Sequence, residues 1–209
     1  MQDSGNKIKV LTFDCDGVMF DTEKANKAYY NHLLNYFGRP SITPDQFVYV
    51  QMHTVDESIA HLFPDRQSFE AAQSLRKQTG YDPYLKYMEI EPDLISLLEK
   101  YTGRLNIAVA TNRTDTMNKV LAVHDIEKYF DLVVTALDVP RPKPHPDPLL
   151  RVLEYFHVAP DEMLYVGDSE LDDLAAKAAG VPLVAYDNVS LAGDYHITSL
   201  KELEKIITI

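Results

Sequence analysis

Side chains suited to phosphate chemistry follow several apolar runs of this 209-residue sequence. Asp14 and Asp16 come directly after the first run, Thr111 after a second and Asp168 after a third. Lys143 lies between the last two, in a proline-rich stretch. Carboxylates, a hydroxyl and an ammonium group, if brought around one crevice, suit a metal-dependent reaction on a phosphate.

The first pair of acids could share the work of transferring a phosphoryl group. A carboxylate at Asp14 needs no base to act as a nucleophile, because free aspartate has a pKa of about 3.9 and is ionised at neutral pH. Asp16 could protonate the leaving oxygen and then take a proton from water. The alternative is a solvated turn in which Gly17 provides the conformation, because Asp-x-Asp-Gly is a common sequence.

The acids also suit a hard cation. Mg²⁺ prefers a few carboxylates, waters and substrate phosphate oxygens. The side chains of Asp14 and Asp168 and the main-chain carbonyl of Asp16 would supply three such oxygens. The alternative is an acidic first turn of a helix, which explains Asp172 well and Asp168 less well, because Asp168 directly follows an apolar strand.

Three further residues are candidates for holding the phosphate. A hydroxyl and main-chain N–H groups at Thr111 and Asn112 would form an anion site at a helix start. The same two residues also suit an ordinary helix N-cap. Lys143 could be a surface lysine, but the flanking prolines Pro142 and Pro144 stiffen the loop and favour a lysine held in position.

The elements that must position these residues alternate regularly from about residue 92 onward. Repeated β–α units predict a parallel sheet covered by helices on both faces, a doubly wound α/β fold. The ligand crevice of such a sheet lies outside the carboxyl ends of its strands, where the candidate residues are placed. The predicted strands are 8–13, 105–110, 131–135, 163–166 and 181–186, and helices are predicted to begin near 92, 114, 146, 171 and 199.

The segment between the first strand and about residue 86 breaks this alternation. It contains no convincing strand, and its apolar residues recur at helical spacing. We therefore expect a Rossmann-like core formed by residues 1–20 and 87–209, with residues 21–86 as an inserted α-helical cap subdomain. An insert that follows the carboxyl end of the first strand would act as a lid that shields the reaction from water.

Composition limits the class of partner. The chain has 20 Lys and Arg against 32 Asp and Glu, a net charge of −12, which argues against nucleic acid or an anionic membrane as the main partner. No apolar run reaches the ~20 residues of a membrane span, and Met1–Lys7 lacks the apolar segment of a signal peptide. Cys15 is the only cysteine, so no intrachain disulfide can form, and we expect a cytoplasmic protein.

The ordered set of residues resembles the four motifs of the haloacid dehalogenase superfamily. Each motif alone is weak, but four in this order and spacing are a strong signature. The resemblance covers the whole chain, because the insert resembles the helical cap of the phosphoglycolate phosphatase and β-phosphoglucomutase type. The four motifs are Asp14-Cys15-Asp16-Gly17-Val18, Thr111-Asn112, Lys143-Pro144, and Gly167-Asp168-Ser169 with Asp172.

The resemblance implies a Mg²⁺-dependent phosphatase, a phosphoric monoester hydrolase. Its partner would be a small phosphorylated metabolite, similar to phosphoglycolate or a sugar phosphate, and the protein would be a monomer or a weak homodimer. Asp14 would be the nucleophile that forms an aspartyl-phosphate, and Asp16 would be the general acid and base.

The resemblance also assigns the binding residues. The phosphate would be bound by Thr111, Asn112 and Lys143. Asp172 would support the metal ligands without coordinating the ion itself. The implied Mg²⁺ ligands are Asp14, Asp16 and Asp168.

Two other functions remain open. A sugar phosphomutase would return the phosphoryl group to its substrate, but the mutases of this family carry an arginine and a histidine where this chain has Val55 and Asn26. A non-catalytic phosphate-binding protein would be expected to have lost Asp14, Asp16 or Asp168, and all three are present. A phosphatase is therefore the leading hypothesis.

Overall fold

A computed structural model of the chain describes residues 7–207. Two compact units make up the molecule, one formed by Met1–Phe20 with Ile90–Ile209 and the other by Asp21–Glu89. The first six residues, on which most of the signal-peptide expectation rests, lie outside the described part. We call the first unit the core unit and the second the insert unit.

The sheet of the core unit is parallel and has β1 near its middle. The described strands are β1 (Val10–Phe13), β2 (Phe20–Asp21), β3 (Glu89–Ile90), β4 (Asn106–Ala110), β5 (Leu132–Val134), β6 (Met163–Gly167), β7 (Leu183–Tyr186) and β8 (Tyr195–Ile197). The order across the six-stranded sheet is β5-β4-β1-β6-β7-β8, and β2 and β3 form a separate two-stranded sheet. From β1 the chain adds strands on one side and then on the other. Because parallel crossovers are right-handed, this reversal places helices on both faces of the sheet.

The register brings the carboxyl ends of three strands to one edge. Phe13, the last residue of β1, lies opposite Val109 of β4 and Val166 of β6. The ladder continues for one residue, because the N–H of Asp14 donates to the carbonyl of Val166 at 2.9 Å. β1 lies between β4 and β6, where the order of strand addition reverses, and this switch point is where open α/β sheets bind ligands.

The described α-helices are divided between the two units. They are α1 (Glu23–Tyr36), α2 (Pro44–Met52), α3 (Val55–Leu62), α4 (Arg66–Thr79), α5 (Leu94–Tyr101), α6 (Met117–Val123), α7 (Asp147–Phe156) and α8 (Glu170–Ala179). In the core unit, α7 and α8 pack onto the sheet through apolar faces. Leu149 and Val152 of α7 and Ala175 of α8 are buried in one cluster with Ala108 of β4. No described helix has both the length and the apolar character needed to cross a membrane.

The predicted doubly wound α/β class is confirmed, but several elements differ from the prediction. The short strands β2 and β3 were not predicted. α6 begins at Met117 rather than near residue 114, so Thr111 does not cap this helix and its N-cap interpretation is wrong. β8 was not predicted, because it has three residues and two of them are exposed. The helix predicted from Ser199 is a short 3₁₀ segment, Leu200–Lys205, and the Ser199 hydroxyl accepts from the N–H of Lys201.

The insert unit is helical between its short terminal strands. It contains α1 to α4 and a 3₁₀ segment at Asp82–Tyr87. Thr43 and Thr54 form capping boxes at the starts of α2 and α3, and the Asp65 carboxylate caps α4. These caps satisfy main-chain N–H groups that a helix start leaves unpaired, which explains where the helices begin.

Candidate active site

The buried ammonium group of Lys143 contacts several side chains of the candidate site. Lys143 is 2% exposed, and its Nζ atom lies 2.9 Å from Oδ1 of Asp14 and 2.6 Å from Oδ1 of Asp172. It also donates to the hydroxyl of Tyr165 at 3.0 Å. Burial alone would lower the pKa of Lys143, but the charges of Asp14 and Asp172 outweigh this effect and raise it. The predicted surface alternative for Lys143 is therefore wrong, and this lysine is held charged inside the site.

Asp172 anchors that ammonium group. Its Oδ1 accepts from Lys143 at 2.6 Å and from the Tyr165 hydroxyl at 2.5 Å. Its Oδ2 accepts from the N–H of Ser169 at 3.0 Å and from the Ser169 hydroxyl at 2.5 Å, which also caps α8. Burial would raise the pKa of Asp172, but Lys143 and these hydrogen bonds lower it. Asp172 is thus a saturated acceptor whose position supports its neighbours.

Asn112 fixes the main chain that carries Lys143. Its Nδ2 donates to the carbonyl of Lys143 at 3.0 Å, and its Oδ1 accepts from the N–H of Lys143 at 2.9 Å. Both ends of the amide therefore hold this loop, which gives the Asn112 side chain a positioning task. Thr111 is buried, and its Oγ1 accepts from the N–H of Arg113 at 3.2 Å, so the hydroxyl can still donate its own hydrogen.

Asp14 is buried and incompletely satisfied. Within the described residues its Oδ1 makes no hydrogen bond of good geometry, although Lys143 lies 2.9 Å away as an ion-pair partner. Burial raises the pKa of Asp14 to about 7, and the charge of Lys143 opposes this shift without cancelling it. The nearby carboxylates of Asp172 and Asp16 add to the shift. The site therefore holds more negative charge than its own lysine compensates.

Asp168 stands at the end of β6 against Gly17. A Cβ atom at Gly17 would come within 2.0 Å of Oδ2 of Asp168, so only glycine fits there. Gly17 also has a φ of +79°, a conformation that other residues rarely adopt. Asp168 keeps part of its surface exposed, but desolvation, followed by the charges of Asp172 and Asp14, raises its pKa well above the usual range.

These carboxylates fit a divalent cation. Ligand atoms of Asp14, Asp168 and Asp172 all lie within 4.8 Å of one another. The pKa values of Asp14 and Asp168 are raised, and the contact of Asp14 Oδ1 with Lys143 lacks hydrogen-bond geometry. Both observations fit a site that takes a further positive charge, and carboxylate oxygens suit Mg²⁺. Since Asp172 already accepts four hydrogen bonds, Asp14 and Asp168 are the side chains better able to hold the ion.

Two residues of the site were missed by the sequence analysis. Tyr165 belongs to an apolar run and is fully buried, so its sequence indicates only a core side chain. Arg113 directly follows Thr111 and Asn112, and it pairs with both carboxylate oxygens of Asp16 at 2.7 Å. Its position beside a candidate phosphate-binding pair was the one available signal.

The family of the chain follows from its sequence profile. The profile of the haloacid dehalogenase-like hydrolases matches residues 11–186, a span that contains every residue of the candidate site. The chain therefore belongs to this family and is a hydrolase, as the resemblance implied.

Individual relatives agree with this assignment. The chain is 38% identical to a solved hydrolase of the same superfamily, subfamily IA variant 1, from Geobacter sulfurreducens, with a TM-score of 0.80 over 98% of this chain and 99% of that one. It is 28% identical to pyrophosphatase PpaX of Bacillus mycoides over 187 residues, 86% of this chain and 83% of PpaX. It is 49% identical to phosphoglycolate phosphatase of Escherichia coli over 81 residues, 38% of this chain and 32% of that enzyme. The last match thus spans about a third of that relative.

Proposed function

We propose that this hydrolase is a Mg²⁺-dependent phosphatase that cleaves a small phosphomonoester through an aspartyl-phosphate on Asp14. The observation that carries the proposal is that Asp14 lies 2.9 Å from the ammonium of Lys143 and within 4.8 Å of a carboxylate oxygen of Asp168. A nucleophile, a fixed cation and a metal-binding acid thus lie together, as phosphoryl transfer to a carboxylate requires.

The charge balance explains why cations are needed. Two unit charges about 4 Å apart interact by about 4 kcal/mol at an effective dielectric constant of about 20, so a dianionic phosphate would meet roughly twice that repulsion from Asp14. Lys143 offsets part of this repulsion because Asp172 and Asn112 hold it in place. Mg²⁺, when held by Asp14, Asp168 and the main-chain carbonyl of Asp16, supplies the remaining positive charge.

The protein's own groups then have separate tasks. Asp14 attacks phosphorus, and Thr111 and Lys143 hold the phosphate oxygens. Asp16 gives a proton to the leaving oxygen in the first step and takes one from the attacking water in the second. The second step returns Asp14 to a free carboxylate and releases inorganic phosphate.

The test is phosphate release from a panel that includes the esters phosphoglycolate and sugar phosphates and the anhydride pyrophosphate, with Mg²⁺ and with EDTA. Asp14→Asn is the matched variant, because the amide has the size of the carboxylate but cannot attack phosphorus. We expect Mg²⁺-dependent release that this variant loses while its thermal melt stays cooperative. Turnover at the wild-type rate in Asp14→Asn would remove Asp14 from the mechanism.

If the enzyme releases no phosphate from the panel, the sugar phosphomutase and the phosphate-binding protein become the functions to test. With no release from any ester, isomerisation of hexose phosphates would test the mutase, and phosphate binding without turnover would indicate a binding protein. Val55 stands where the mutases of this family carry an arginine, so we expect no isomerisation.

We further propose that the insert unit, Asp21–Glu89, acts as the cap of this enzyme. Its compactness and its own capped helices support a segment that moves as one body. Small-angle X-ray scattering with Mg²⁺ and beryllium fluoride, a mimic of the aspartyl-phosphate, tests closure. We expect a smaller radius of gyration than with Mg²⁺ alone, and an unchanged radius would contradict a closing cap.

A further inference from the structure

Arg113 forms a two-bonded and largely buried ion pair with Asp16. Its Nε donates to Oδ2 of Asp16 and its Nη2 to Oδ1, both at 2.7 Å. The two side chains are 8% and 13% exposed, whereas Arg141, which forms the same two-bonded pair with Asp147, is 59% exposed. A bidentate pair of this kind fixes the direction of a carboxylate as well as its place.

The arginine is itself held at several points. Its Nη1 donates to Oγ1 of Thr116 at 3.2 Å, and its carbonyl accepts from the N–H of Ala136 at 3.0 Å. Its own N–H donates to Oγ1 of Thr111 at 3.2 Å. Because its main chain and its guanidinium are both tied to neighbouring loops, Arg113 is a rigid support.

The main chain of Asp16 is equally constrained. The N–H of Gly17 donates to the carbonyl of Phe20 at 2.9 Å, and the N–H of Met19 donates to the carbonyl of Cys15 at 3.0 Å. Because these hydrogen bonds fix the turn, only the χ1 and χ2 torsions of the Asp16 side chain remain free. The two hydrogen bonds from the Arg113 guanidinium then set both torsions. A carboxylate oxygen has two lone pairs, so an oxygen that accepts a hydrogen bond from Arg113 can also accept a proton. The form of Asp16 that pairs with Arg113 is the one that takes the proton from water in the second step, and this proton passes to the leaving oxygen in the next turnover.

We propose that Arg113 is a positioning residue that orients the Asp16 carboxyl for proton transfer; this inference rests on the proposed function. In the first step the bond from phosphorus to the leaving oxygen breaks, the bond from phosphorus to Asp14 forms, and the proton of Asp16 passes to the leaving oxygen. In the second step water attacks phosphorus, its proton returns to Asp16, and the bond to Asp14 breaks. Arg113 transfers no proton and acts only through Asp16.

A leaving-group comparison tests this role. p-Nitrophenolate leaves without being protonated, whereas the alkoxide of an alkyl phosphomonoester needs a proton. We expect Arg113→Met to lower kcat for the alkyl phosphate that the wild type hydrolyses best by roughly tenfold or more beyond its effect on p-nitrophenyl phosphate, because a misplaced general acid loses part of its contribution. Equal losses on both esters would overturn the proposal.

A conservative variant separates geometry from charge. Lysine keeps the positive charge but cannot form the two-pronged contact, so Arg113→Lys should show most of the same preference for the aryl ester. Full restoration by lysine would show that only a buried charge is needed and would overturn the positioning role. Arg151→Met, at an exposed arginine of α7, is the control and should leave the ratio of the two esters unchanged.

A double-mutant cycle completes the test. If Arg113 acts through Asp16, adding Arg113→Met to Asp16→Asn should cost no further activity, and multiplied losses would contradict the proposal. The double variant also removes both charges of the buried pair, so it avoids the unpaired charge that could unfold Arg113→Met. A wild-type enzyme that hydrolyses neither p-nitrophenyl phosphate nor any alkyl phosphate of the panel would overturn the proposed function and this inference together. An active wild type with multiplied losses would overturn this inference alone.

Discussion

Asn112 and Lys143 are joined by two hydrogen bonds that run in opposite directions, one from the side-chain amide and one from the main chain. Both residues are buried, and Lys143 lies far from Asn112 in sequence. The loop after β4 is therefore tied to the loop that contains Lys143. The position of the Lys143 ammonium group thus depends on the uncharged side chain of Asn112.

Removal of that amide should loosen the lysine. In Asn112→Ala the N–H and carbonyl of Lys143 lose their partners inside the protein, which costs about 1–3 kcal/mol of unfolding free energy for each group left unsatisfied. We expect a lower melting temperature and a higher KM for the phosphate ester, measured by calorimetry and steady-state kinetics. Asn118→Ala, on the exposed face of α6, is the control, and an unchanged KM in Asn112→Ala would show that the loop holds its own shape.

Tyr165→Phe should separate packing from hydrogen bonding around Lys143. The ring stays in the core, but Lys143 loses one acceptor and Asp172 loses one donor. A hydrogen bond to a charged group is worth about 1.5–3 kcal/mol, so we expect kcat/KM to fall by about ten- to a hundred-fold. Tyr155→Phe, at an exposed tyrosine of α7, should have no effect. An equal effect of the two substitutions would refute a role for the buried hydroxyl.

Asp168→Asn should weaken the response to Mg²⁺. The amide has the same size, which matters because Gly17 leaves no room beside Asp168. We expect the Mg²⁺ concentration for half-maximal activity to rise by at least roughly tenfold, because a neutral ligand attracts a hard cation less. Asp173→Asn, in the first turn of α8 but outside the carboxylate cluster, should leave the activation curve in place. A curve unchanged by Asp168→Asn would place the metal elsewhere.

His124 should make the unfolding free energy depend on pH. Burial lowers the pKa of His124 below its ordinary value of 6.5, and the His124 ring packs against the ring of Phe20. The buried Nε2 atom has no hydrogen-bond partner among residues 7–207. Below pH 6.5 the unfolded chain binds this proton more readily than the folded one, so stability falls as the pH drops from about 6.5 towards the folded pKa. His124→Phe keeps the ring, and we expect its melting temperature to drop less than that of the wild type between pH 7.5 and 5. An equal drop in both proteins would assign the pH dependence to other groups.

The common location of the main site residues was predictable from one rule about parallel sheets. Asp14, Thr111 and Asp168 each follow an apolar run, and parallel strands end at a common edge. The order of strands was not needed for this inference, since any doubly wound arrangement brings those ends to the same side.

The contacts between side chains were not predictable, because they depend on register and reach. Tyr165 has the sequence environment of a core residue, and only the pairing of β6 with β1 places its hydroxyl beside Lys143. Arg113 could have pointed to solvent, and its pairing with Asp16 joins two loops that no local pattern connects. The predicted start of α6 was wrong because threonine is a common residue at helix N-caps. The hydroxyl of Thr111 instead accepts from the N–H of Arg113 and stabilises a turn.

The central position of β1 has a consequence for folding. Asp14 meets Lys143 and Asp168 only after β1 has paired with both β4 and β6, which are distant in sequence from it and from each other. Such long-range pairings close large loops and form late and slowly. Recovery of enzymatic activity during refolding should therefore lag behind recovery of the helical circular dichroism signal. Mg²⁺ added at the start should raise the stability of the folded protein more than it raises the rate of the initial collapse.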